Sequence, residues 1–136
     1  MVLSRENKYL DELMKAFALI LISSFLFSCN SNKKFESEKW IPFEEGVYGE
    51  NYRYKMLDDL VNNVLKLDSN NSNGTSKNEV YKLIGKPDET LDKTDIYLIQ
   101  EKIGEIDPNG EIKLYLKYSD NLTLNYWKIE ETTYKE

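Results

Sequence analysis

The chain has no histidine and one cysteine among 136 residues, with only three prolines and six glycines. Without histidine it lacks the commonest general base near neutral pH and the commonest neutral metal ligand. A single thiol permits no intramolecular disulfide and no Cys-x-x-Cys site. The glycines form no phosphate-cradling loop, since Gly74 and Gly85 have turn and helix-end explanations. Positive charge is in deficit: 18 basic residues face 24 acidic ones, a net charge of −6. That balance argues against nucleic acid or anionic lipid as a general partner. A membrane-spanning run is also missing. The apolar stretch Ala16 to Phe27 would reach about 18 Å as a helix, against a hydrocarbon core of roughly 30 Å.

That stretch, "AFALILISSFLFSC", fits a secretory h-region: short, apolar, led by Lys15 and closed by small side chains. Met14-Lys15 would make an ordinary signal start. The upstream "MVLSRENKYLDEL", with Glu6, Asp11 and Glu12, then reads as an over-extended beginning. Leu26-Phe27-Ser28-Cys29 resembles a bacterial lipobox, with an aliphatic residue at the third place before Cys and a small one directly before it. Phe27 replaces the usual small residue between them. The resemblance implies that Cys29 carries a diacylglyceryl thioether, becomes the amino terminus and is acylated on its amine. One acyl chain binds a bilayer marginally, whereas two or more anchor stably. The expected organisation is a signal peptide over residues 1–28, a lipidated tether and lead-in over 29–51, and one small domain over 52–136. The expected location is the cell envelope, with acyl chains on Cys29 in the membrane; in a Gram-negative cell this would be the outer membrane, facing the periplasm.

In the lead-in, the first residues are polar and aperiodic and read as disordered. Trp40, Ile41, Phe43, Val47 and Tyr48 are too apolar for a pure linker and predict irregular packing on the domain. In "NYRYKMLDDLVNNVLKL", Leu57, Leu60, Val61, Val64 and Leu65 make one apolar stripe and predict a core-facing helix. "DSNNSNGTS" breaks it with turn formers. A second helix follows in "SKNEVYKLIGKPD": Ser76 and Glu79 form a capping box, Val80, Leu83 and Ile84 its apolar face, Gly85 a left-handed end, and Pro87 forbids continuation.

The period then changes to two. "IYLIQEKI" (96–103), "EIKLYLKYS" and "LTLNYWKIE" predict three strands joined by short loops, hence an antiparallel meander. In the second strand Ile112, Leu114, Leu116 and Tyr118 share one face. The predicted fold class is α+β, with two helices on one face of a three-stranded antiparallel meander, in the order ααβββ.

"GTSKNEVYKLIGKPDE" resembles the signature of small α+β lipoproteins related to the outer-membrane assembly component BamE, a fold shared by beta-lactamase inhibitory proteins. Gly74, Ser76, Glu79, Val80, Leu83, Ile84, Gly85 and Pro87 carry it, and it covers roughly Arg53 to Ile129. Where BamE-type chains commonly have an aromatic-rich first strand with Trp, this chain reads "DIYLIQEKIGE". The resemblance implies a protein that holds other macromolecules without turning over a substrate.

No catalytic set, metal site or cofactor site emerges. Ser76 reads as a helix cap, and Asp88, Glu89, Asp92 and Asp95 as carboxylates of a solvated loop without the glycine-centred spacing of an EF-hand. The candidate partner-binding residues are Tyr115, Trp127 and Ile129, expected to face outward together on an open sheet face bordered by Lys113 and Lys117. Two readings follow. One is a lipid-anchored, non-enzymatic binding or scaffolding protein with an unidentified protein partner and no nucleic acid. The alternative is an inhibitor or immunity-type lipoprotein that blocks a secreted enzyme through that sheet face.

Overall fold

The computed structural model describes Leu10, Glu12, Met14 and residues 32–42, 51–70, 72–102, 104 and 108–135. Two compact units divide the chain, Met1–Ser31 and Asn32–Glu136. Of the first, Leu10, Glu12 and Met14 are described, all helical and exposed. The core formed by the described residues lies in the second unit.

Helix α1 (Ser37–Trp40) is a single turn; its last residue packs on the domain as the sequence predicts, though from a helical turn in place of irregular structure. Trp40 is fully buried, and Phe35 packs partly buried against the same cluster. Backbone bonds hold the lead-in as well: Lys33 N–H donates to Lys55 O at 2.8 Å, and Phe35 N–H to the Asp59 carboxylate at 2.8 Å. Residues 32–42 are therefore part of the domain, which begins before residue 52. Phe43, Val47 and Tyr48 lie outside the described residues.

Helix α2 (Tyr52–Asp59) starts at Asn51, whose side chain accepts the Tyr54 N–H at 3.0 Å. The expected helix continues as a π-turn over Leu60–Val64, where Leu65 N–H reaches back five residues to Leu60 O at 2.8 Å. Leu57, Leu60, Val61 and Leu65 are buried as the stripe requires, and Met56 joins them. The widened turn lets Leu65 reach the core although its own backbone is already extended.

The turn after it closes against the sheet. Asp68 N–H donates to Leu124 O at 2.7 Å, and Leu124 N–H to Thr75 O at 2.8 Å. Gly74 sits inside this crossing, where a Cβ would lie 2.3 Å from Leu124 O. Helix α3 (Lys77–Ile84) has the full capping box: Glu79 N–H donates to Ser76 Oγ, and Ser76 N–H to the Glu79 carboxylate at 2.8 Å. Gly85 ends it with φ 81° and ψ −172°, so the positive φ is as expected but ψ is extended.

Four antiparallel strands form the sheet in the order β1-β2-β3-β4: β1 (Glu89–Leu91), β2 (Thr94–Lys102), β3 (Gly110–Tyr118) and β4 (Leu124–Thr133). The expected meander had three. The additional strand comes from "DETLDKTD", read above as a loop of solvated carboxylates. Asp92, with φ 54°, and Lys93 make a two-residue turn that pairs Leu91 with Thr94 and Thr90 with Asp95. Ile103, the last residue of the expected strand 96–103, lies outside the described residues.

Two β-bulges set the phase of the strands. On β2, Leu98 pairs with Lys113 and Gln100 with Ile112, so Ile99 is the extra residue. On β4, Leu124 pairs with Tyr118 and Tyr126 with Lys117, so Asn125 is the extra residue. The core joins the helices to Tyr97, Ile99, Ile112, Leu114, Leu116, Tyr118 and Leu124. The α+β class and the helix-bearing face of β3 are as the sequence predicts.

Candidate functional site

Residues paired directly across an antiparallel ladder point to the same face. Leu114 and Leu116 are buried under the helices, and they pair with Ile129 and Trp127. Those two residues therefore belong to the helical side, while Tyr115 points to the other. The expected trio of Tyr115, Trp127 and Ile129 does not share a face. The Asn125 bulge is the cause: one extra residue inverts every later side chain of β4 relative to a continuous alternation. Trp127 packs partly buried against the core, and Ile129 is left 42% exposed.

The face away from the helices is built from three cross-strand rows. Glu89, Ile96, Tyr115 and Lys128 form one; Leu91, Thr94, Lys117 and Tyr126 the next; Leu98, Lys113 and Glu130 the third. None of these side chains belongs to the core cluster. Lys128 Nζ lies 4.5 Å from the centre of the Tyr115 ring and 2.6 Å from Glu130. The Glu130 carboxylate draws the Lys128 ammonium's pKa above its ordinary value. Lys113 is held likewise by Glu111, at 2.6 Å. Tyr126 and Leu91 are exposed. This face sets Tyr115, Tyr126, Leu91 and Leu98 among lysines and glutamates.

A second constellation lies on the helical side and corrects the reading of Asp95 as a solvated-loop carboxylate. Asp95 is fully buried on β2. Its Oδ1 accepts the Thr90 hydroxyl at 2.8 Å and lies 3.4 Å from Lys77 Nζ, at the start of α3. Lys77 Nζ also stands 5.6 Å over the Tyr81 ring and 5.1 Å over the Tyr118 ring. Burial lowers the Lys77 pKa, but Tyr81 and the Asp95 carboxylate more than reverse this, and the net shift is upward. Burial, with Tyr97 and Asp95 nearby, pushes the Tyr118 phenol up. Asp95 Oδ2 and the Tyr118 hydroxyl are buried without hydrogen-bond partners. The cluster pins α3 to the sheet. The signal that could have found it is the phase of "TDIYLI", which puts Asp95 in step with Tyr97 on the core face.

Among the described residues no group of three His, Cys, Asp or Glu side chains is placed to hold a metal ion. No described helix is long and apolar enough to cross a membrane. Cys29, the expected lipidation site, lies outside the described residues. Comparison with protein-family models, with curated proteins and with solved structures gives no match.

Proposed function

We propose that the protein is a lipid-anchored, non-enzymatic binding or scaffolding protein of the bacterial cell envelope, tethered through acyl chains on Cys29 and resembling the BamE group. One observation carries this reading: among the described residues, the core cluster and the side chains packed on it begin with Phe35 and Trp40, after Cys29. Cleavage before Cys29 would remove the apolar h-region and leave these described core residues in the mature chain. Three residues further on, at Asn32, the second compact unit begins. Labelling cells with a radioactive fatty acid tests the anchor. The wild-type chain should take up label and the Cys29→Ala chain should not; equal or absent label in both removes it.

The inhibitor or immunity-type reading is supported by the face carrying Tyr115 and Tyr126, whose side chains are free of the core. A stoichiometric complex with one secreted enzyme, abolished by Tyr126→Ala, would favour it over scaffolding.

A further inference from the structure

The two edges of the sheet are treated differently. At one edge β1 covers Thr94 to Ile96, and beyond it side chains close the exposed backbone of β2. Leu98 N–H donates to Asp88 Oδ2 at 2.7 Å, Leu98 O accepts Arg53 at 2.8 Å, and Ile99 O accepts Asn51 at 3.0 Å. The other edge is β4, ten residues long. Leu124 is bonded to Thr75 and Asp68, and Tyr134 N–H to Asn109. Between them, from Asn125 to Thr133, no described segment except β3 hydrogen-bonds the β4 backbone. A long strand with one free ladder edge is a template for another strand.

We propose that this edge joins two copies of the chain, β4 pairing antiparallel with its own counterpart about a two-fold axis through Ile129. The sequence of the edge selects both occupant and register. Pairing must keep the helical sides of the two sheets together, so only registers that place a residue against itself on the axis are allowed. Centred on Ile129, Lys128 of each copy stands opposite Glu130 of the other, giving two attractive pairs on the face away from the helices. Moving the axis one residue either way sets Lys128 against Lys128 or Glu130 against Glu130. On the helical side, Ile129 meets its counterpart, with Trp127 diagonally next to it; these are the β4 apolar groups left partly exposed there. The contact is self-complementary, as an isologous interface requires. It doubles the sheet to eight strands.

Acylation of Cys29 is not needed for this pairing: failed labelling would leave the dimer standing, and a monomer would leave the anchor standing. Sedimentation of the full chain in mild detergent supplies the test. The wild-type chain should dimerise. Lys128→Glu and Glu130→Lys should each raise the dimer dissociation constant at least about tenfold, because two attractive pairs become repulsive. An equimolar mixture of the two variant chains should recover a one-to-one heterodimer. In a Cys29→Ser background, Ile129→Cys should form a disulfide-linked dimer under mild oxidation and Thr133→Cys should not. A wild-type monomer at every concentration, whatever else its edge binds, overturns the proposal. So does a dimer indifferent to both charge reversals, or a folded Ile129→Cys chain that does not cross-link.

Discussion

Trp127 stands directly across the ladder from Leu116, on the helical side of the sheet, while its neighbour Tyr126 stands across from Lys117 on the other. A single bulged residue, Asn125, puts them there. Substitutions at the two positions therefore report different things. Trp127→Ala should lower unfolding free energy by about 2 kcal/mol, since it deletes an aromatic that packs on the core. Tyr126→Ala should change it by less than about 0.5 kcal/mol. Urea denaturation of both variants checks the difference. Loss of a partner on Tyr126→Ala then speaks for the surface, whereas loss on Trp127→Ala speaks first for folding.

Trp40 gives the sharpest test of where the domain begins. A tryptophan in a tether is removable without consequence. This one is fully buried, and its carbonyl accepts Arg53 Nε at 3.0 Å. Trp40→Ala should cost about 3–5 kcal/mol, comparable to the whole stability of a small domain. Circular dichroism melts read the loss directly, and Trp40→Phe should recover much of it.

Much of this architecture can be read in the residues. Both longer helices follow from periodicity and caps, because a stripe such as Leu57, Leu60, Val61 and Leu65 has one way to be buried. The inward face of β3 follows from clean alternation. What fails to show in the sequence has a common cause: single-residue events that leave no compositional trace. Asn125 is polar and unremarkable, yet inserting it reverses β4. Asp92 tolerates positive φ and so converts a run of carboxylates into a hairpin. Asp95 reads as one more solvated acid until β1 and α3 close over it. Of the candidate partner residues, Tyr115 is on the expected face and the other two are not.

The capping box should be visible in the acid limb of stability. Ser76 N–H, and then the Ser76 hydroxyl, hold the Glu79 carboxyl below its ordinary pKa. A depressed folded-state value means the contribution is present above the unfolded value and lost as pH falls through the folded one. Ser76→Ala should cost about 1 kcal/mol at pH 7. Between wild type and Glu79→Gln the gap in melting temperature should narrow as pH is lowered from 7 to 3. A constant gap would show that the carboxylate charge does not contribute to the cap.

Asp95 should govern the alkaline limb instead. At pH 7 its carboxylate faces the Lys77 ammonium with little solvent between them, and Thr90 shares the same oxygen. Asp95→Asn keeps the shape but removes the charge, and should cost about 2 kcal/mol. Asp95→Leu also strands Lys77 and the Thr90 hydroxyl, for about 3 kcal/mol. The pH dependence distinguishes an ion pair from a packing effect. The Lys77 pKa is raised in the folded chain, so its stabilisation is complete below its ordinary value and fades as pH rises through the folded one. The phenols of Tyr81, Tyr97 and Tyr118 are also raised, burial first and Asp95 among the causes, and they titrate with the same sign. All four groups thus weaken the advantage of a charged Asp95 together. Denaturant midpoints of wild type and Asp95→Asn should converge as pH climbs past 10. If the difference instead holds constant to pH 11, Asp95 contributes through its fit against Thr90 and the helix, and its charge is incidental.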